Sequence, residues 1–261
     1  MDLMVLKVFQ LNLYKGKWLE KAAEFLKAEN PDIITLQEVT TNKLNYFDDQ
    51  NVSLFDELKI RLGIEGVYDC TMQFKNLPGS CFGNAVFSKF KIKSSSVVSM
   101  KDGGEFYYDF EKHGDFGKDR PFVPRHLIDA TLEVDDSYMH VISVHGAWTA
   151  PPSDNEETLR QAGVIANHLR SLGDEPFIMG GDMNMPQNTK VIGKISKVCK
   201  NLMEGSGIKQ TLNPRLHYLK SKELAVDYIF TSRHFDLKNI EVLQVDISDH
   251  LPVVAQLEFN V

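Results

Sequence analysis

The chain has 261 residues, 43% hydrophobic and 25% charged, a composition that excludes disordered, collagen-like and disulfide-scaffold proteins. Lys and Arg number 29 against 36 Asp and Glu, a formal charge of −7. That balance argues against gripping nucleic acid through a broad basic surface, but not against meeting phosphates in a metal-loaded cleft.

The length fits two small domains or one large sandwich or barrel. Cys70, Cys81 and Cys199 are an odd number at no metal-like spacing, and no disulfide framework is expected. Met1-Asp2-Leu3-Met4-Val5 lacks the features of a signal peptide. No stretch approaches the roughly 18 apolar residues of a membrane span. The expectation is a soluble, monomeric protein of a reducing, cytoplasmic compartment, with no membrane insertion.

In chain order, residues 2–11 form an apolar-rich strand candidate. Residues 18–29 follow as a helix, with Trp18, Ala22, Phe25 and Leu26 at helical spacing and Trp18 in its core. Asn30-Pro31 ends that helix, and residues 32–36 read as a second strand. Residues 84–87 and 127–134 are further strand-like runs. The polar, glycine-rich stretch 99–119 reads as a long surface loop. A second strand–helix–strand unit then begins with the β-branched run 139–144. Ser153 with Glu156 predicts a capping box, and Leu159, Ala162, Ala166 and Leu169 predict the helix stripe behind it. Residues 176–179 close that unit, and 226–231 and 253–259 complete the strands. No linker separates the halves, which suggests one domain of two packed sheets with outer helices.

The informative residues are those that follow each apolar run. Strands end at Asn12, at Gln37-Glu38, at His145 and at Gly180-Gly181-Asp182-Met183-Asn184. Asp227 opens its strand, and Ser248-Asp249-His250 precedes the last. Strand ends are where α/β proteins usually build sites. Such a set of polar groups is costly to bury unless its members satisfy one another or a ligand. His113, His126, His140, His168, His217 and His234 are assigned no role in it.

Leu36-Gln37-Glu38-Val39, Gly181-Asp182-Met183-Asn184, Asp227-Tyr228-Ile229 and Ser248-Asp249-His250-Leu251-Pro252 occur in an order that resembles the endonuclease/exonuclease/phosphatase, or DNase I-like, superfamily. Asn12, Ser143-Val144-His145-Gly146 and Gly83-Asn84-Ala85-Val86-Phe87-Ser88 fit the same template, so the resemblance spans residues 4–258. It implies a single domain over 1–261 with a four-layer α/β/β/α sandwich of two mixed sheets and outer helices.

The resemblance also implies a metal-dependent phosphoesterase that attacks its ester with an in-line water. Glu38, Asn12 and Asp249 are then the candidate ligands of Mg²⁺ or Mn²⁺, hard cations that prefer oxygen. His250, with Asp227 holding its other ring nitrogen, is the candidate that activates or orients the water. By the same resemblance Asp182, Asn184 and His145 flank the phosphate, with Asp182 either positioning the nucleophile or protonating the leaving group; sequence does not decide which group is the base. Arg125 is a candidate phosphate clamp and Trp148 a candidate stacking residue. The expected substrate is DNA or RNA. The alternative is a small phosphorylated metabolite, inositol phosphate or phospholipid head group, and a catalytically dead binding module is the rival from another class. Glu38, Asp182, Asn184, Asp249 and His250 are all present, which argues against that rival.

Overall fold

A computed structural model describes residues 4–41, 52–103, 106–107, 123–220 and 223–259. Among these, two six-stranded sheets stack face to face. The first runs in the order β11 (Phe235–Val242), β12 (Val253–Phe259), β1 (Met4–Asn12), β2 (Ile33–Thr40), β4 (Leu77–Ser88) and β3 (Glu65–Phe74). The second runs β5 (Lys91–Lys101), β6 (Arg125–Val134), β7 (Ser137–His145), β8 (Phe177–Asp182), β10 (Asp227–Thr231) and β9 (Lys200–Asn201). Both sheets are mixed. β1 and β2 are parallel, as are β7 and β8, whereas the other pairs are antiparallel. A parallel pair needs a crossover, and α1 (Leu19–Glu29) and α3 (Glu156–Ser171) supply the two.

Strand alternation sorts the side chains into layers. On β1, Phe9 and Leu11 face outward, where they join Ile34 and Leu36 of β2 beneath Leu26 of α1 and Leu54 and Leu58 of α2 (Leu54–Leu62). Ala162, Ile165 and Leu169 of α3, with Ile192 and Ile195 of α4 (Lys190–Ser196), pack with the second sheet. Between the sheets lie Leu6, Val8 and Ile33, in one cluster with Val141 and Ile178. The order of layers is α/β/β/α, as expected.

The intersheet layer changes character along the strands. On β1 its residues are Leu6, Val8, Gln10 and Asn12, apolar at one end and amide at the other. Gln10 and Gln37 exchange reciprocal hydrogen bonds, Thr35 Oγ1 donates to Gln10 Oε1 at 2.7 Å, and Gln37 Nε2 donates to Ser143 Oγ at 3.0 Å across to the second sheet. Gly180 belongs to this seam, because a Cβ there would lie 2.0 Å from Thr35 Oγ1. The Gln10 and Gln37 amides are thus partnered, so this part of the layer stays polar without a large desolvation cost.

Several expectations are corrected in detail. The cap of α3 is Asn155 with Thr158, not Ser153 with Glu156: Asn155 Oδ1 accepts the Thr158 amide at 2.8 Å and Thr158 Oγ1 accepts the Asn155 amide at 2.9 Å. The Ser153 amide instead donates to Thr149 Oγ1. Trp18 precedes α1 rather than filling its core, and stacks on Tyr14 with ring centroids 6.0 Å apart. Cys70 and Cys81 form a disulfide, because the β3–β4 pairing and its bulges set their Cα atoms 5.3 Å apart. Strand β5 extends to Lys101, so the predicted loop begins later, and most of stretch 99–119 lies outside the described residues.

Behind the second sheet, the buried Asp129 carboxylate takes His140 Nδ1 on one oxygen and His168 Nε2 on the other, both at 2.8 Å. This ties β6 and β7 to α3. The hydrogen bond that His140 donates to Asp129 raises the His140 pKa above its usual value, with burial opposing. Burial pushes Asp129 up, but its two imidazole partners outweigh that and hold it low. A raised histidine contributes stability below its unfolded pKa and loses it as pH rises through the folded one. The lowered aspartate contributes above its unfolded pKa and loses it in acid. Urea unfolding at pH 6 and pH 8.5 should therefore show the wild type weakening at the higher pH. Asp129→Asn should be weaker than wild type at pH 6, by roughly 2 kcal/mol, and should lose less stability between the two pH values, because the His140 share of the loss is gone. Equal pH slopes for the two chains would refute the linkage.

Candidate active site

The polar end of the intersheet layer carries the site. In the pairing of the second sheet, His145 of β7, Asp182 of β8 and Asp227 of β10 stand side by side, with Asp182 registered to both neighbours. Facing them, Asn12 ends β1 beside Gln37 of β2. A bulge in the β2–β4 pairing follows Leu36, and Glu38 adopts a left-handed φ of 55°. Glu38 thus lies inside β2 rather than beyond its end. The loop between β11 and β12 supplies Ser248, Asp249 and His250. Ser248 Oγ donates to the Asn12 carbonyl at 2.6 Å, which docks this loop on β1.

Hydrogen bonds join the set. His250 Nδ1 lies 2.8 Å from Asp227 Oδ2, and Gln10 Nε2 is 3.4 Å from the other Asp227 oxygen. Asp182 accepts from Asn12 Nδ2 at 3.1 Å and from the Asn184 amide at 2.9 Å. The Nε2 atoms of His145 and His250 sit 3.7 and 3.8 Å from Asp182 Oδ2, so this carboxylate stands between two imidazoles. Arg125 Nε and Asn184 Nδ2 both donate to the Gly146 carbonyl, at 2.8 and 3.2 Å, which holds these donors together. Trp148, two residues past Gly146, is half-buried.

The electrostatics separate the carboxylates. Burial alone would raise Glu38, but Lys15, His145, His250 and a hydrogen bond from Asn12 bring it down to about 2. Burial pushes Asp182 up to about 7, with Asp227 repelling and His250 only partly compensating. Burial likewise raises Asp249 to about 6, against the pull of His250. Burial works against the His250 cation, yet Asp227 and Asp182 raise its pKa well above normal. His145 goes the other way, lowered by burial and by Arg125, and is a neutral imidazole. Burial lowers Arg125 to about 10, against the attraction of Glu38 and Asp182, and it stays charged at neutral pH.

Two site residues were not foreseen. His217 is buried on the loop before β10, with its ring edge-on to His250 at 5.9 Å. Asn213 fixes that loop by donating to the Ser248 and Val245 carbonyls. The Leu219 amide donates to His217 Nδ1 at 3.1 Å, so a neutral ring carries its proton on Nε2. Burial and the charge of His250 lower its pKa to about 4. Lys15 places Nζ 3.4 Å from Glu38 Oε2. No spacing in the sequence marks either residue. Each is brought in by a loop whose path depends on tertiary hydrogen bonds.

Strain gathers here as well. Of six non-glycine residues with positive φ among the described residues, Tyr14, Lys15, Glu38 and Asn184 belong to this cleft. Such conformations persist only where surrounding structure enforces them, and they cluster at functional sites. Donor atoms of His217, Asp249 and His250 lie within 4.8 Å of one another, as do those of Asp182, Asp227 and His250. Glu38 belongs to neither group and faces the cleft from the opposite sheet. The cleft therefore offers an ionised carboxylate, a carboxylate poised near neutrality, a charged imidazole and fixed cationic donors.

Residues 9–250 match the family model described as the Endonuclease/Exonuclease/phosphatase family. Among solved structures, an endonuclease/exonuclease/phosphatase family protein from Bacteroides thetaiotaomicron has a TM-score of 0.75 at 17% identity, covering 100% of both chains. A mannosyl-6-phosphatase of Bacteroides thetaiotaomicron VPI-5482 has a TM-score of 0.73 at 19% identity, covering 97% of this chain and 100% of that one. The human Nocturnin catalytic domain, crystallised with a bound sulfate anion, has a TM-score of 0.69 at 20% identity, covering 99% and 97%. At these identities the likeness is one of fold. No curated protein matches in sequence.

Proposed function

The chain belongs to the endonuclease/exonuclease/phosphatase family, and on that premise we propose that it is a divalent-metal-dependent hydrolase of phosphate esters. The observation that carries this reading is the convergence of Glu38, Asp182, Asp227, His145, His250 and Arg125 on one cleft between the sheets. We take the whole chain as one catalytic domain, because both sheets line that cleft.

The donor set fits a hard cation: Glu38 is half-buried with its pKa drawn down to about 2, and its neighbours offer oxygen. Glu38, Asp249 and the Asn12 amide would hold Mg²⁺ or Mn²⁺. Such an ion, when bound, polarises a phosphoryl oxygen and stabilises the departing alkoxide. Arg125, Asn184 and the neutral His145 donate to the phosphate oxygens. Asp182, near neutrality in its pKa, takes the proton of the attacking water. His250, kept charged by Asp227, steadies negative charge as it grows. Sequence leaves the base open between His250 and Asp182; the raised Asp182 pKa supports giving Asp182 the proton and His250 the orienting and charge-bearing part.

For the substrate we favour a phosphodiester of nucleic acid. The rim beside Asn12 supports this, because Tyr14 and Trp18 stack there and Lys17 Nζ lies 5.7 and 4.9 Å from their ring centroids. Aromatic faces with interleaved cations suit bases on a charged backbone. The formal charge of −7 favours a second reading, a small phosphorylated sugar or metabolite, as does the likeness in fold to a mannosyl-6-phosphatase. Among the described residues no helix is long and apolar enough to cross a membrane. A panel of single- and double-stranded DNA, RNA, abasic DNA, a phosphotyrosyl-ended oligonucleotide, sugar and inositol phosphates and sphingomyelin, each with Mg²⁺, separates these readings. EDTA should silence the activity found and Mg²⁺ or Mn²⁺ should restore it. Turnover that persists in chelator would reject the metal's part.

A further inference from the structure

The turn that follows β1 is unusual in its backbone. Tyr14, Lys15 and Gly16 take left-handed φ angles of 47°, 52° and 70° in succession. Left-handed backbone suits glycine, and two side-chain-bearing residues in a row adopt it only under constraint. The constraint is visible. The Leu13 amide donates to the Gln37 carbonyl at 3.0 Å, the Tyr14 amide to Asn12 Oδ1 at 3.0 Å, and the Lys17 amide to the Tyr14 carbonyl at 3.2 Å. Gly16 is pressed so closely on α2 that a Cβ would lie 2.6 Å from Leu54 Cδ1.

What this turn delivers is a buried ammonium. The Lys15 side chain is 11% exposed, and Nζ reaches Glu38 Oε2 at 3.4 Å while lying 4.7 Å from the Tyr14 ring centroid. Its charge also acts on His145 and Asp249. A buried ion pair is a poor stabilising device, because desolvation offsets most of the attraction. Building one on a strained turn adds a further cost. Stability alone does not account for it, whereas a requirement for positive charge at this point does.

Resting on the phosphoesterase reading above, we propose that Lys15 is a second cation of the reaction centre, carried by the protein itself. Its ammonium pairs with Glu38 while that carboxylate is free. Once a divalent ion takes Glu38, the ammonium is left to a phosphoryl oxygen of the ester. The centre then needs one divalent ion per chain rather than two.

Mn²⁺ titration followed by electron paramagnetic resonance, and inorganic phosphate titration of the Mn²⁺-loaded protein by calorimetry, test this without turnover. Wild type should bind one Mn²⁺ in the presence of phosphate. Lys15→Gln should bind Mn²⁺ at least about tenfold more tightly, since the competing charge is gone, and phosphate at least about tenfold more weakly. Lys15→Arg should keep phosphate affinity near wild type. Lys15→Met repeats the test if the glutamine variant does not fold. The proposal is overturned if Lys15→Gln fails to shift either affinity as stated, or if wild type takes up a second Mn²⁺ with phosphate. Glu38→Gln is the separate control: wild-type Mn²⁺ affinity in that variant would remove Glu38 from the metal's ligands, whatever Lys15 does.

Discussion

Replacing His250 by alanine is expected to lower kcat at least about a hundredfold, the scale of losing a positioned proton-transfer or charge-bearing group. The imidazolium is the main neutralising partner of Asp227, which is buried and 2.8 Å away, and it lies 3.8 Å from Asp182. Without it, two buried carboxylates face each other across the β8–β10 pairing. Asp182, already raised to about 7 by burial, loses the cation that was pulling it down and is pushed further up, so the variant lacks the charge that His250 supplied and, on the proposed mechanism, a ready proton acceptor too. Circular dichroism should show the fold retained, because the sheets do not depend on this side chain. Near-normal turnover on a confirmed substrate would remove His250 from the chemistry.

The second large effect is expected from Glu38→Gln, which keeps the shape of the side chain and removes its charge. Glu38 has its pKa drawn down to about 2, whereas burial raises Asp249 to about 6 and Asp182 to about 7. At neutral pH Glu38 is therefore the most dependable anionic anchor for a cation. Its loss should lower kcat by at least about a hundredfold and weaken Mn²⁺ binding, with partial recovery at high metal concentration. A fall in kcat with unchanged Mn²⁺ affinity would make Glu38 a residue of the proton chemistry instead.

Particular residues show why much of this was legible in sequence. Asn12, His145, Asp182 and Asp227 lie at the ends of apolar runs, and strand alternation turns all four to the intersheet face. Short runs of period two carry that information locally. Arg125 was readable only as a residue flanking a strand, and its burial beside Gly146 depends on the neighbouring sheet order. Glu38 was found as a residue after a strand, but its approach to the cleft requires a bulge that no local signal announces. Lys15 and His217 were missed because long-range hydrogen bonds bring their loops inward. Strands β5 and β11 went unread because they are edge strands with mostly exposed, polar faces, so the apolar alternation that marks a half-buried strand is absent. The disulfide was missed for a related reason, since its two cysteines meet through the register of β3 with β4.

Anomalous diffraction from a crystal of the wild-type protein grown with Mn²⁺ tests the shared centre most directly. A peak coordinated by the Glu38 carboxylate at about 2 Å, inside the cleft that also holds Asp182 and His250, is the predicted result. Manganese bound solely at surface carboxylates, with Glu38 still paired to Lys15, would contradict it.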